Sequence, residues 1–205
     1  MDKARRRFWA SRLAEWSDVP DFIQLVKECH REAGFGTLIN HGMGFWRDAW
    51  LAAKHAKLSG ASSVRLLQSV PYPDYQLRLD GSEHSFEATE AIKSRRRRGD
   101  EFREDLEASD RGQFLIRADP EDQWLNPTLA LELLNRCAIK KAAKPYASSC
   151  GLLIYLNESN YGSDAPGIEA TFKEGTRVAG ELFQSVHVLW SGRLYEVWKH
   201  GSSNV

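Results

Sequence analysis

Two carboxylates, Asp74 and Glu87, have the types and spacing that could do chemistry, because they flank the dipeptide Asp80-Gly81 at matched distances. A type I′ turn needs positive φ at both central positions, and Asp-Gly is among the pairs that supply it at least cost. With Asp80 and Gly81 at the centre of the turn, Leu79 faces Ser82. Every later pair keeps the same index sum, so Tyr75 faces Phe86 and Asp74 faces Glu87. Opposed side chains in such a ladder have Cβ atoms roughly 4.5–5.5 Å apart, where two like charges destabilise unless a cation lies between them. A hard divalent ion, Mg²⁺ or Mn²⁺, is the natural cation for paired carboxylates.

The same alternation sends Glu87, Thr89, Ala91 and Lys93 to one face, and Phe86 and Ala88 to the other with Tyr75 and Leu77. One face reads as core and the other as a site. Directly after it comes the run Arg95, Arg96, Arg97 and Arg98. These four cations could engage a phosphate backbone without reading bases, or could form a solvated loop paired with Asp100, Glu101 and Glu104.

The elements that must position this pair can be read from periodicity. Asp18 and Pro20 open a helix with Phe22, Leu25, Val26, Cys29 and Ala33 on one face, closed by Gly34. A second helix carries Phe45, Trp46, Ala49, Trp50, Ala53 and Ala56 and ends at Ser59-Gly60. Strands are expected at 64–70, around Tyr75, Leu77 and Leu79, and from His84 to Ala91, making a three-stranded meander. The charged segment 93–122 reads as loop, with a short helix near 100–108 and a short strand near 114–117.

Asn126 and Pro127 then start a helix with Ala130, Leu133, Leu134, Cys137 and Ala138 on one side, stopped by Pro145. The unbroken apolar run Gly151 to Leu156 suits a strand covered on both faces, near the middle of a sheet. A last helix carries Ile168, Phe172, Gly175, Ala179 and Leu182. A second hairpin follows, Val186 to Trp190 and Leu194 to Trp198 around Ser191-Gly192. The expectation is an α/β fold: one domain over 1–205, with an N-terminal helical layer over 1–60. A central mixed β-sheet contains the antiparallel meander and is flanked by helices.

Composition narrows the function classes. Lys plus Arg and Asp plus Glu both number 28, so no global field draws the chain to nucleic acid or membrane, and any basic site is local. Three cysteines without a CxxC suggest neither a disulfide framework nor a zinc site. His41, His55, His84, His187 and His200 show no metal-ligand spacing, and no GxSxG, P-loop or GxGxxG occurs. The N-terminus lacks a continuous apolar run, so no membrane partner and a cytoplasmic location are expected. Trp190, Tyr195 and Trp198 on the last hairpin could cover a sheet edge or form a homodimer or partner surface, with core packing as the plainer reading.

The residues resemble the PD-(D/E)XK nuclease-like superfamily. Its common core runs helix, β-meander, helix, strand, with an aspartate beginning the second meander strand and (D/E)xK on the third. Pro73-Asp74 and Glu87-Ala88-Thr89 stand in those places, and the order of elements matches over roughly residues 18–190. The resemblance implies a restriction-endonuclease-like fold and metal-dependent cleavage of phosphodiester bonds in nucleic acid, chiefly DNA. It implies that Asp74 and Glu87 bind Mg²⁺ or Mn²⁺. Thr89 stands where the family has lysine, and Lys93, farther along the same face, could supply that charge. Glu28 and Glu32 are similar to a helix-borne glutamate of some members, against the plainer reading of solvent-facing helix charges. A catalytically inactive nuclease-fold protein that binds nucleic acid or protein is the alternative implied by Thr89. In the simplest reading Asp74 only caps a strand or turn and Glu87 is an exposed cross-strand residue.

Overall fold

The computed structural model describes residues 1–34, 37, 42–68, 72–93, 104, 107, 108, 111, 125–145, 147–158 and 167–200. Three helices come first, α1 (Lys3–Ala14), α2 (Val19–Ala33) and α3 (Gly44–Ser59), with a two-residue strand β1 (Ser17–Asp18) between α1 and α2. The meander is β2 (Ser63–Leu66), β3 (Tyr75–Leu79) and β4 (Ser82–Ala91). Next come α4 (Pro127–Ala142), β5 (Gly151–Leu156), α5 (Ile168–Gly175) and α6 (Arg177–Gly180), and the hairpin β6 (Ser185–Trp190) and β7 (Arg193–Lys199) closes the order.

All seven strands form one mixed sheet in chain order. The pairs β4–β5 and β5–β6 are parallel and the other four antiparallel. A parallel neighbour cannot be reached by a tight turn. The chain therefore crosses over twice, and α4 and then α5 and α6 lie in those crossovers. The fold is α/β with helices on both faces. Phe22, Val26, Ala49, Ala53, Val64, Tyr75, Leu77, Phe86 and Leu153 share one core, on the side of α1, α2 and α3. Leu133, Leu134, Cys137, Leu152, Ile154, Phe172, Val186 and Val188 share the other, under α4, α5 and α6.

Local sequence explains most of these elements. Asn126 accepts a hydrogen bond from the Leu129 N–H at 2.9 Å and Pro127 follows at the first turn of α4, as a capped helix start requires. The continuous apolar run of β5 sits between two parallel neighbours, with Leu152, Leu153 and Ile154 fully buried. The last hairpin turns at Ser191 and Gly192, both with positive φ, and Trp190 is core, its indole N–H donating to the Glu158 carbonyl at 3.3 Å. Gly151 is required by close approach, since a Cβ there would lie 2.4 Å from the Phe86 ring and 2.7 Å from Ser185 Oγ.

Two elements were not expected. The first, α1, buries only Trp9 and Leu13, too narrow a stripe among charges to stand out as periodic. It starts where Asp2 accepts the Arg5 N–H at 2.8 Å. The second, β1, pairs Ser17 with Val64 and Asp18 with Ser63. The expected helix near 100–108 and strand near 114–117 lie almost wholly outside the described residues, as do Arg95, Arg96, Arg97 and Arg98. Among the described residues, no helix is long and apolar enough to cross a membrane.

Candidate functional site

The turn residues Asp80 and Gly81 both have positive φ, 49° and 80°, and the register they impose runs from Leu79↔Ser82 to Tyr75↔Phe86. Asp74 lies one residue past the last pair and is tied to both neighbouring strands. Its N–H donates to the Phe86 carbonyl at 2.9 Å, and its carbonyl accepts the Leu67 N–H at 2.9 Å. Its carboxylate Oδ2 accepts the Ala88 N–H at 2.8 Å, so a side chain supplies a rung of the ladder. Glu87 is 5% exposed on the same face, which removes the reading of an exposed cross-strand residue. Between Phe86 and Ala91, β4 pairs with β5 residue for residue. Glu90 lies on the opposite face, accepting a hydrogen bond from Asn157.

Among the described residues, α4 brings a cation to this pair. The inward stripe of α4 runs Ala130, Leu133, Leu134, Cys137 and Ala138, and its next position is Lys141. The Lys141 ammonium lies 2.5 Å from Glu87 Oε1, with side-chain exposures of 16% and 6%. A third carboxylate, Asp48 in the first turns of α3, acts on both Asp74 and Glu87 through space. Burial pushes the Asp74 carboxyl up to about 7. The charge of Asp48 adds to the rise, the Ala88 N–H opposes it, Glu87 adds further and Lys141 opposes. Burial also raises Asp48, against the pull of Arg47, whose Nη2 lies 3.2 Å from Asp48 Oδ1.

The site is therefore Asp48, Asp74 and Glu87, with Arg47 against the first and Lys141 against the last. All three carboxylates are hard oxygen donors of the kind Mg²⁺ and Mn²⁺ take. Among the described residues, no three His, Cys, Asp or Glu converge closely enough to enclose a metal by themselves.

Other expected site residues lie elsewhere. Lys93 follows the end of β4, where its N–H donates to Glu158 Oε1 at 2.9 Å and its ammonium lies 3.8 Å from Glu158 Oε2. The structure does not bring it to Asp74 and Glu87, because β4 runs straight and four residues of strand, roughly 13 Å, separate Glu87 from Ala91. Glu32 is bound by Arg5 at 2.6 Å and by the Trp9 indole at 3.0 Å, and Glu28 accepts from Gln24 at 2.8 Å. Both are partnered within the helical layer, and the helix-borne acid whose charge reaches Asp74 and Glu87 is Asp48. Sequence signals for the two missed residues exist. Lys141 is a lysine at the next position of an apolar stripe, and Asp48 is in line at i+4 and i+7 with Ala52 and His55, both fully buried.

On the α3 side of the sheet, His55 links Tyr75 on β3 to His187 on β6. Its Nδ1 lies 2.7 Å from the Tyr75 hydroxyl and its Nε2 lies 2.9 Å from His187 Nδ1. The Glu196 carboxylate is 3.8 Å from His187 Nε2. A carboxylate only accepts, so its charge favours hydrogen on His187 Nε2. His187 Nδ1 then accepts from His55 Nε2–H, and His55 Nδ1 accepts from the Tyr75 hydroxyl. The chain of bonds is complete with both rings neutral. Burial depresses both histidines, His187 to about 4. It pins α3 to β3 and β6 two turns beyond Asp48.

Cys150 stands close enough to Glu87 to feel its charge and is held as the thiol at neutral pH. Burial first and Glu87 second push its thiol up to about 12, and burial raises Cys29 to about 11. No known protein family, curated protein or solved structure matches the chain.

Proposed function

We propose that the chain is a metal-dependent nuclease with a restriction-endonuclease-like core, similar to the PD-(D/E)XK superfamily, with its lysine supplied by α4 rather than by β4. One observation carries the reading: the Lys141 ammonium 2.5 Å from Glu87 Oε1, beside Asp74. Thr89 has no charge to give, and Lys141 brings to Glu87 the positive charge that the third motif position lacks.

Asp74 and Glu87 would hold a hard divalent cation, which would supply a polarised phosphate and a more acidic attacking water. Asp48 adds negative charge from α3, and Lys141, beside Glu87, is the cation available to offset negative charge on a phosphate oxygen. The substrate is a phosphodiester of nucleic acid, DNA in the first instance.

Calorimetric titration with Mg²⁺ and Mn²⁺, run beside cleavage of single- and double-stranded DNA, tests this on wild type, Asp74→Asn and Glu87→Gln. Binding and cleavage by wild type, with both lost in the variants, is the expected result. A second reading is favoured by the Lys141–Glu87 pair itself, which gives Glu87 Oε1 a counter-charge without metal. It makes the chain an inactive nuclease-fold binding module, and wild type that binds neither metal nor cleaves DNA would establish it over the first.

A further inference from the structure

Beyond Asp74 and Glu87, the face that carries them continues along β3 and β4 into a polar surface that no helix of the described chain covers as α4 covers Glu87. Side chains two residues apart on a strand share a face, so Gln76 and Arg78 follow Asp74, and Ser85 and Glu83 follow Glu87. Strand pairing sets Arg65 beside Gln76 and Gln76 beside Ser85. From strand rise and spacing, Arg65 stands roughly 8 Å from Asp74 at Cα.

The Arg65 guanidinium is held in place from two sides. Its Nε and Nη2 donate to Gln76 Oε1 at 2.9 and 2.7 Å, and Gln76 in turn donates to Ser85 Oγ at 3.0 Å. Its carbon lies 4.7 Å from the centre of the Trp16 ring, over which Arg78 also lies, at 4.1 Å. Arg78 has a counter-charge in Glu83 at 2.9 Å. No carboxylate among the described residues pairs with Arg65. Its partners, an amide and an indole, orient it without neutralising it. A guanidinium has five N–H groups, so after two go to Gln76 three remain for a ligand. A fixed, half-buried, uncompensated guanidinium is costly to keep unless an anion completes it, and its fork suits a phosphate better than a lysine would.

We infer that Arg65, positioned by Gln76 and Trp16, is a phosphate-binding residue that holds the nucleic-acid strand one phosphate or two away from the bond at Asp74 and Glu87. The inference rests on the nuclease reading for the identity of the polyanion. The occupant is the sugar–phosphate backbone, since the row offers a guanidinium fork and hydrogen-bond donors, which suit phosphate oxygens. It sets where along the strand the acidic pair falls, so Arg65 determines register rather than chemistry.

The test is equilibrium binding of a fluorescein-labelled oligothymidylate to full-length protein in EDTA, across a salt series, for wild type, Arg65→Gln and Arg65→Lys. Loss of one phosphate contact lowers the slope of log affinity against log salt by about 0.7 for single-stranded nucleic acid. Arg65→Gln is expected to show that drop and roughly tenfold weaker binding at low salt, the scale of a charge-assisted contact. Arg65→Lys, which keeps the charge, retains most of the slope. Matching melting curves of the three proteins exclude misfolding, and Gln76→Ala, which frees the guanidinium without removing it, gives an intermediate affinity with the slope unchanged. Equal slopes and affinities for wild type and Arg65→Gln overturn the inference, as does Arg65-dependent binding of polyglutamate with none of the oligonucleotide. Because metal is absent, failure here is separate from failure of cleavage, which the Mg²⁺ assay reports on its own.

Discussion

Lys141 Nζ and Glu87 Oε1 meet at 2.5 Å across 54 residues of sequence, one side chain on a crossover helix and the other on a central strand. Both are largely buried, so removing one strands the charge of the other in a poor solvent. Lys141→Ala and Glu87→Ala are each expected to cost about 3 kcal/mol. The combined replacement Lys141→Met with Glu87→Leu is expected to cost markedly less than the two singles together. Urea unfolding of the four proteins as a double-mutant cycle gives the coupling; additive losses would show that the contact contributes nothing.

Asp74 should make the protein less stable as pH rises. Its folded value, about 7, lies above the ordinary aspartate value near 3.9. Between these two pH values the folded state binds the extra proton, so the contribution is fully present below about 4 and is lost as pH climbs through 7. Asp74→Asn abolishes this slope. Against wild type it is expected to gain on the order of 2 kcal/mol between pH 5 and pH 8, discounted for partial exposure. Thermal melts of both proteins across that range check it. Addition of Mg²⁺ near pH 6 should release a proton from wild type and none from the variant, measured by calorimetry in two buffers of different ionisation enthalpy.

The paired histidines work in the opposite direction. His55 and His187 are depressed, so their contribution is present above the unfolded value of about 6.5 and is lost as pH falls through the folded one, about 4 for His187. Glu196 opposes the depression of His187 and Lys199 adds to it. Replacing His55, His187 and Tyr75 together with phenylalanine removes the whole polar chain and leaves no member of it buried without a partner. Acid unfolding of this triple variant is expected to begin at least one pH unit lower than in wild type. In wild type, nitrogen chemical shifts of His55 should report hydrogen on Nε2; hydrogen on Nδ1 would reverse the assigned direction.

Gly151 gives a prediction independent of any function. A Cβ at 2.4 Å from Phe86 Cε1 cannot be accommodated unless the ring moves, so Gly151→Ala is expected to destabilise by about 2–3 kcal/mol. A second change, Phe86→Leu, shortens the side chain that clashes and should recover part of the loss. Denaturant midpoints of the single and double variants decide the matter, and no recovery would place the strain elsewhere, at Ser185.

The hairpin at Asp80-Gly81 was legible in sequence to the residue because backbone chirality fixes its turn and the turn fixes its register. The apolar run of β5 and the capped start of α4 were legible for similarly local reasons. Lys141 and Asp48 were not, since each belongs to a helix whose distance from the carboxylates is set by how helices pack on the sheet. Lys93 looked suitable because alternation gives the face of a side chain but says nothing of how far along the strand it lies. The helix α1 escaped notice because its burial rests on two residues, Trp9 and Leu13.

The supply of Lys141 from the crossover between β4 and β5 has a consequence for biosynthesis. A ribosome that has released the chain only as far as the meander has made Asp48, Asp74 and Glu87 but not the lysine that answers them. Glu87 then lacks its cation, and β4 lacks its parallel neighbour. Completion of α4 and β5 supplies the cation and the missing strand in one event. The protein thereby acquires its charge balance and its central sheet together, and a truncated product ending before residue 141 is left with neither.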